Sequence, residues 1–227
     1  MKWASGWQLA SAVSNAGKLD IIGSGSMYPY VLKEHIVKCK IATENPFAVN
    51  VPLIYPNIDE HIQIIIDCKV PIVFTSAENP KTLTFKLKAV DIKVIHGVSS
   101  KFAQKARAAV MDLLRKVFNA GDHNGREETT SFVLIPVVKE KVTTPVIAAG
   151  SIATGRQMLA AVVLGANAVQ IGSKFIASHE ASCHLNFKNA VISSKEGDTE
   201  LSLKKLILVR LLKNNFYNQV KEQEIIM

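Results

Sequence analysis

Two short segments in the second half of the sequence join small residues to a strand-to-helix transition, a pattern that suits phosphate binding. They are Ala148-Ala149-Gly150-Ser151-Ile152 and Gln170-Ile171-Gly172-Ser173. Small residues let a ligand approach the backbone, and the amides at a helix start attract an anion. In (β/α)8 enzymes the loops after the last two strands often form one phosphate site. A single such turn is explained by tight-turn geometry alone, whereas two in consecutive units predict a shared phosphate site.

A histidine between two glycines is the candidate for proton transfer. The segment Ala120-Gly121-Asp122-His123-Asn124-Gly125 follows a weak strand candidate. Histidine titrates near neutral pH and therefore suits general-base work. Taken alone, however, a loop histidine is more often a surface residue. No two histidines show metal-ligand spacing together with a carboxylate, so we expect no metal.

An asparagine interrupts an apolar strand at Asn50, between Val49 and Val51. A buried amide needs a partner. Near the carboxyl end of a barrel strand it could bond a flavin or nucleotide ring, and a structural hydrogen bond fits the sequence equally well. The phosphate loop of nucleotide triphosphatases, the dinucleotide fingerprint and the Gly-x-Ser-x-Gly elbow are all missing from the sequence.

These segments are carried by alternating strand and helix patterns, which predict an α/β protein. Seven short apolar runs read as strands, most of them followed by a helix, and such runs suit a parallel sheet buried on both faces. They begin at Leu19, Phe47, Ile72, Lys93, Val110, Pro145 and Ala168. We predict a TIM-type (β/α)8 barrel over residues 1–177 that lacks its first strand, with an open doubly wound sheet as the alternative. Residues 178–227 read as a partial helical appendage, with helices at Ser178–Ser193 and Leu201–Asn214.

Composition excludes several other classes of protein. Of the 227 residues, 48% are hydrophobic and 20% are charged, which argues against disorder. The net charge of +8 is scattered, so we expect no nucleic-acid partner, and no apolar run is long enough for a membrane span. Three unpaired cysteines, Cys39, Cys68 and Cys183, fit a cytoplasmic protein.

Together these segments resemble the nitronate monooxygenase (2-nitropropane dioxygenase-like) family and the related flavin-type enoyl-acyl-carrier-protein reductases. The resemblance rests on Ala120–Gly125, Ala148–Ile152 and Gln170–Ser173. It implies an FMN-binding barrel oxidoreductase in which His123 is catalytic and which oxidises alkyl nitronates with molecular oxygen. The cofactor-binding positions are Asn50, Gly121, Gly150, Ser151, Gln170, Ile171, Gly172 and Ser173. An enoyl thioester would be the substrate of a reductase instead.

The sequence also departs from the pattern of the family it resembles. Ser151 and Asp122 stand where relatives have glycine, and each such replacement at a positive φ costs on the order of 1 kcal/mol. A truncated, catalytically impaired relic is therefore the alternative from outside the enzymes. A chain without its first strand would have two sheet edges that lack a partner strand. Such edges can pair with another chain, so a homo-oligomer is a further alternative.

Overall fold

The computed structural model describes residues 4–76, 81–98, 112–116, 122–123, 129–203, 205–206 and 208–226. Its helices are α1 (Trp7–Asn15), α2 (Pro29–Ala42), α3 (Ile58–Asp67), α4 (Lys81–Lys88), α5 (Ser131–Lys141), α6 (Gly155–Val163), α7 (Ser173–Ile176), α8 (Leu185–Ser193) and α9 (Asn215–Ile226). Its strands are β1 (Ile21–Gly23), β2 (Ala48–Pro52), β3 (Ile72–Ser76), β4 (Lys93–Val98), β5 (Asp112–Lys116), β6 (Asp122–His123), β7 (Val146–Ala149), β8 (Ala168–Gln170), β9 (Thr199–Ser202) and β10 (Val209–Leu212). The helix predicted at Ser100–Ala109 lies outside the described residues.

Seven strands form one parallel sheet in the order β1-β2-β3-β4-β5-β7-β8. All seven predicted strands are confirmed, including the weak candidate at β5. Parallel neighbours need a crossover connection, and the helices α2, α3, α4 and α6 supply it between successive strands. The carboxyl ends of the seven strands therefore lie along one edge of the sheet.

The two faces of the sheet are both buried and carry different apolar clusters. Val49, Val73 and Val94 pack under the helices in the largest apolar cluster. Ala48, Phe74, Ile95 and Ala149 form a second cluster on the opposite face, which we call the inner face. Strand residues alternate between the faces, so Asn50 shares the inner face with Ala48. Double burial explains the short, continuous apolar runs that the sequence shows.

The described residues do not close this sheet into a barrel, because β1 and β8 are its edges and no pairing joins them. A short irregular segment covers the outer edge of β1 instead. The amide of Gly23 donates to the carbonyl oxygen of Ser5 at 2.9 Å, and the Ser5 hydroxyl donates to the carbonyl oxygen of Ile21. The amide of Ser182 donates to the carbonyl oxygen of Ala4 on the other side. The predicted loss of a first strand stays a prediction.

The helix predicted at Leu201–Asn214 is wrong. This segment forms a hairpin of β9 and β10, and β10 also pairs antiparallel with β6, giving a separate three-stranded sheet. Its apolar residues fit a strand as well as a helix, and Leu203 takes a positive φ of 59° that ends β9. Backbone pairing on both sides of β10 then outweighs helical propensity. The helix α9, which follows the hairpin, was not predicted, and the boundary after residue 177 stays a prediction.

Candidate active site

The two predicted phosphate turns lie side by side. β7 and β8 are adjacent, with Ala148 opposite Val169 and Ala149 opposite Gln170. The chain leaves β7 through Gly150 and leaves β8 through Ile171 and Gly172, so both turns start at the same edge of the sheet. Gly172 caps the short helix α7, and the exposed Ser173 is the first residue of that helix.

The turn after β7 has the backbone that an anion site needs. Gly150 and Ser151 have consecutive positive φ values of 108° and 58°. The next amides are already used, because the Gln157 carboxamide oxygen accepts from the amides of Ala153 at 2.8 Å and Thr154 at 3.0 Å. Within the described residues, the amide of Ser151 donates to no other group. This turn therefore keeps donors available above β7, while the start of α6 caps itself.

Two carboxamides lie on the inner face near the carboxyl ends of their strands. Asn50 pairs with Gly23 and Phe74, and Gln170 pairs with Ala149. Both side chains are half-buried, and neither forms a hydrogen bond with any residue in the described part of the chain. A carboxamide offers both a donor and an acceptor. The structural hydrogen bond considered for the Asn50 side chain is not made among these residues.

The main chain of Asn50 has a separate structural role that the sequence did not reveal. Its carbonyl oxygen accepts from the Ser24 hydroxyl at 2.6 Å and from the Ser24 amide at 3.2 Å. Ser24 is fully buried and fixes the turn after β1 against β2. The only signal in the sequence was its position in Gly23-Ser24-Gly25, which identifies a turn without its partner.

His123 is described only through its backbone. It forms β6 with Asp122, and this strand pairs with β10, where Val209 is opposite His123 and Arg210 is opposite Asp122. Gly121 lies outside the described residues. The catalytic assignment of His123 therefore stays a prediction. The new observation is that its segment belongs to the same three-stranded sheet as the hairpin of β9 and β10.

His61 is not solvated as its helical position predicted. It is buried on α3, and its Nε2 atom lies 3.1 Å from the carbonyl oxygen of Met27, which accepts its hydrogen bond. Burial lowers the pKa of His61. The apolar stripe of α3 carries His61 inwards because it stands on the same helical face as Ile65. The histidine thereby anchors the loop between β1 and α2.

The sequence left two placements of His96 open, one facing the site and one in the core, and the structure places it in the core. It shares the helix-facing side of β4 with Val94, and its Nδ1 atom lies 2.7 Å from the Thr75 hydroxyl. Burial lowers the pKa of His96 to about 4. Since it faces away from Asn50, His96 is not a candidate for proton transfer there.

Other kinds of site find no support among the described residues. No group of three or more histidine, cysteine or carboxylate side chains is arranged to hold a metal ion in this part of the chain. Over the same residues, no helix combines the length and the apolarity that crossing a membrane requires.

Comparison with known proteins assigns this chain to a family. The family model described as nitronate monooxygenase matches residues 1–61 and 55–226. A probable nitronate monooxygenase of Staphylococcus saprophyticus is 32% identical over 239 residues, covering 85% of this chain and 67% of the relative. A (3aS,4S,5R,7aS)-5-hydroxy-7a-methyl-1-oxo-octahydro-1H-indene-4-carboxyl-CoA dehydrogenase of Rhodococcus jostii is 31% identical over 206 residues. That match covers 90% of this chain and 58% of the relative.

A solved structure agrees with these matches. FabK from Thermotoga maritima has a TM-score of 0.94 to this chain at 40% sequence identity, covering 99% of this chain and 72% of that one. The chain thus spans between 58% and 74% of the length of the first curated relatives. The matched residues include both predicted phosphate turns, Asn50 and the His123 segment. This chain belongs to the nitronate monooxygenase family of oxidoreductase enzymes.

Proposed function

We propose that this chain is an FMN-dependent oxidoreductase that oxidises alkyl nitronates with molecular oxygen. The observation that carries the proposal is the adjacency of the two turns after β7 and β8. A phosphate at this edge would meet the backbone of both turns at once. The proposal includes a TIM-type barrel, of which the seven-stranded parallel sheet is the larger part.

The residues at this edge fit the two ends of FMN. Gly150 and Ser151 from one turn, with Gly172 and Ser173 from the other, would hold the phosphate through their backbone amides and the Ser173 hydroxyl. The carboxamides of Asn50 and Gln170, which form no hydrogen bond with the described residues, match a ring system that carries both donors and acceptors. Ile171 lies between Gln170 and the second turn, and Gly121 would bring the His123 segment close to the cofactor.

FMN, when bound, would supply the redox chemistry by accepting an electron from the nitronate anion and reacting with oxygen. The protein side chain with a chemical task is His123. It would remove the α-proton when a neutral nitroalkane is the substrate, because an imidazole titrates near neutral pH. A nitronate is already an anion and needs no such base.

The experiment is oxygen uptake by the purified protein with nitroethane and with ethyl nitronate, after its visible spectrum has been recorded with FMN present. We expect flavin absorbance bands to remain after gel filtration, and oxygen uptake with both substrates. His123→Ala should lower nitroalkane turnover by about a hundredfold or more and nitronate turnover far less. A protein that retains no flavin would contradict the proposal, and equal loss of both activities would contradict the role of His123.

A second candidate is reduction of an enoyl thioester by the same cofactor. The Rhodococcus jostii relative is by name a dehydrogenase of a carboxyl-CoA compound, which is an acyl thioester. In this case NADH or NADPH oxidation would depend on an enoyl thioester such as crotonyl-CoA. Thioester-dependent oxidation without nitronate-dependent oxygen uptake would favour the reductase.

A further inference from the structure

The two segments that follow β1 and β2 contain exposed apolar side chains and no charged residue. Residues 21–32 and 46–58 contain no lysine, arginine, aspartate or glutamate. Exposed apolar and aromatic side chains stand there instead: Tyr28 is 64% exposed, Tyr30 is 70% exposed and Ile54 is 60% exposed. We call these three residues the apolar rim. Large exposed apolar side chains grouped without charge usually mark a binding surface.

The apolar rim is held in place by a well-ordered frame. The Met27 amide donates to the carbonyl oxygen of Ser24 at 2.9 Å, and buried His61 bonds the carbonyl oxygen of Met27 from α3. The Leu53 amide donates to the carbonyl oxygen of Ser76 at 2.8 Å, which fixes the second loop to β3. The rings of Tyr28 and Tyr30 stack with centroids 6.0 Å apart. The rim is therefore a built surface rather than a loose loop.

The apolar rim is also continuous with the candidate site. β1 and β2 are adjacent parallel strands, so both loops leave the sheet at its carboxyl edge, directly after Gly23 and Asn50. The two loops touch each other, since a Cβ added at Gly25 would lie 3.0 Å from the Cγ of Pro52. A substrate bound beside Asn50 would extend onto this surface.

We propose that the apolar rim is a subsite for the extended alkyl part of the substrate, an inference that rests on the proposed function. The preferred substrates are then long-chain rather than short-chain nitronates. Each methylene that becomes buried on the rim would raise kcat/KM by up to about fourfold.

The test is the dependence of kcat/KM on chain length from ethyl to octyl nitronate, measured for the wild-type protein and for Tyr28→Ser and Ile54→Ser. We expect kcat/KM to rise with chain length in the wild type and to rise much less in both variants, with ethyl nitronate unaffected within about twofold. Ile41→Ser is the matched control, because Ile41 is 82% exposed on α2 but lies at the opposite end of that helix. Its chain-length dependence should equal that of the wild type.

A binding measurement separates failure of the rim from failure of the proposed function. Calorimetry with decanoate and pentanoate needs no turnover, and decanoate should bind the wild type several times more tightly than it binds Ile54→Ser. That result without any oxygen uptake would keep the subsite and overturn the proposed function. Unchanged decanoate binding in Ile54→Ser would overturn the subsite. A change of oligomeric state in Ile54→Ser, seen by light scattering, would also overturn it, because the apolar rim would then be occupied by a second copy of the chain.

Discussion

Ser151 combines backbone strain with a position in the candidate phosphate turn. Its φ of 58° lies in the left-handed region, directly after Gly150 at 108°. The sequence predicted that a glycine replacement here would fall at a positive φ, and the structure confirms it. Such strain costs on the order of 1 kcal/mol and persists where the surrounding structure holds it. At this position the strained residue carries an amide that makes no hydrogen bond with the described residues.

Ser151→Gly should raise the unfolding free energy by about 1 kcal/mol, because glycine adopts a positive φ without a steric penalty. It should also tighten FMN binding, because glycine keeps the backbone amide and removes the Cβ that limits how closely a phosphate approaches the backbone. Lys69→Gly is the control, since Lys69 is an exposed residue with a φ of 50° at the end of α3. Denaturant unfolding should show both gains in stability, and an FMN titration should show tighter binding for Ser151→Gly alone. Equal FMN affinities in the two variants would contradict this role.

His96 makes stability depend on pH through its burial. Its pKa in the folded protein is about 4, whereas the unfolded chain binds the proton below pH ~6.5. The unfolded state therefore holds more protons between these values, and the unfolding free energy falls as the pH is lowered through this window. The loss between pH 7 and pH 5 should be on the order of 1–2 kcal/mol.

Urea unfolding of His96→Asn at both pH values measures this contribution. The variant should lose less stability than the wild type on acidification, whatever its stability at pH 7. His179→Asn, which changes an exposed histidine, should keep the wild-type dependence. An unchanged difference between pH 7 and pH 5 in His96→Asn would show that the buried imidazole does not titrate as described.

At the scale of elements, the hairpin of β9 and β10 pairs with the segment that carries His123. β10 pairs with β9 through four residue pairs, and Val209 and Arg210 also pair with β6. The hairpin is braced by α9, because Glu200 accepts from the Tyr217 hydroxyl at 2.8 Å and lies 2.7 Å from the Lys221 Nζ atom. Lys221 lowers the pKa of Glu200 to about 2, with help from Tyr217. We therefore expect the hairpin to set the position of the histidine backbone.

Val209→Pro should disturb β6, because proline removes a backbone donor and fits a sheet ladder poorly. If His123 acts as the base, the ratio of nitroalkane to nitronate turnover should fall by at least about tenfold. Leu211→Pro is the control, since Leu211 pairs with Glu200 on β9 and not with β6. Retained FMN binding shows that the variants remain folded. A fall of the same size in Leu211→Pro would mean that the hairpin matters only as a whole.

The same hairpin shows where sequence patterns fail at this scale. The strands of the parallel sheet were predictable because double burial leaves short apolar runs between turn residues, as in Val146–Ala149. The run from Leu201 to Leu212 is not divided by turn residues in this way. Its structure depends on pairing with residues 122–123, which lie about eighty positions away in the sequence. Likewise, the adjacency of the two turns followed from the order of the strands, whereas the bond from Ser24 to Asn50 required the register of β1 against β2.

At the scale of the whole molecule, the open sheet leaves apolar surface beside β8. Met158, Leu159, Val162 and Val163 on α6 are exposed, and β8 is an edge strand. In a closed barrel, an edge of this kind is paired and its flanking helix is covered on both sides. The (β/α) repeat was predictable from the sequence, whereas closure of the sheet would require further pairing of β1 and β8, which the described residues do not supply. The candidate site is built at the carboxyl ends of the strands, where the turns after β7 and β8 lie side by side.

The comparison of FMN with riboflavin tests most directly whether these two turns hold a phosphate. Both ligands present the same ring to Asn50 and Gln170, but only FMN presents a phosphate to Gly150, Ser151, Gly172 and Ser173. Titration of flavin-free protein, followed by fluorescence quenching, should give an FMN dissociation constant at least about tenfold below that of riboflavin. Equal affinities would contradict the phosphate site, and with it the proposed function.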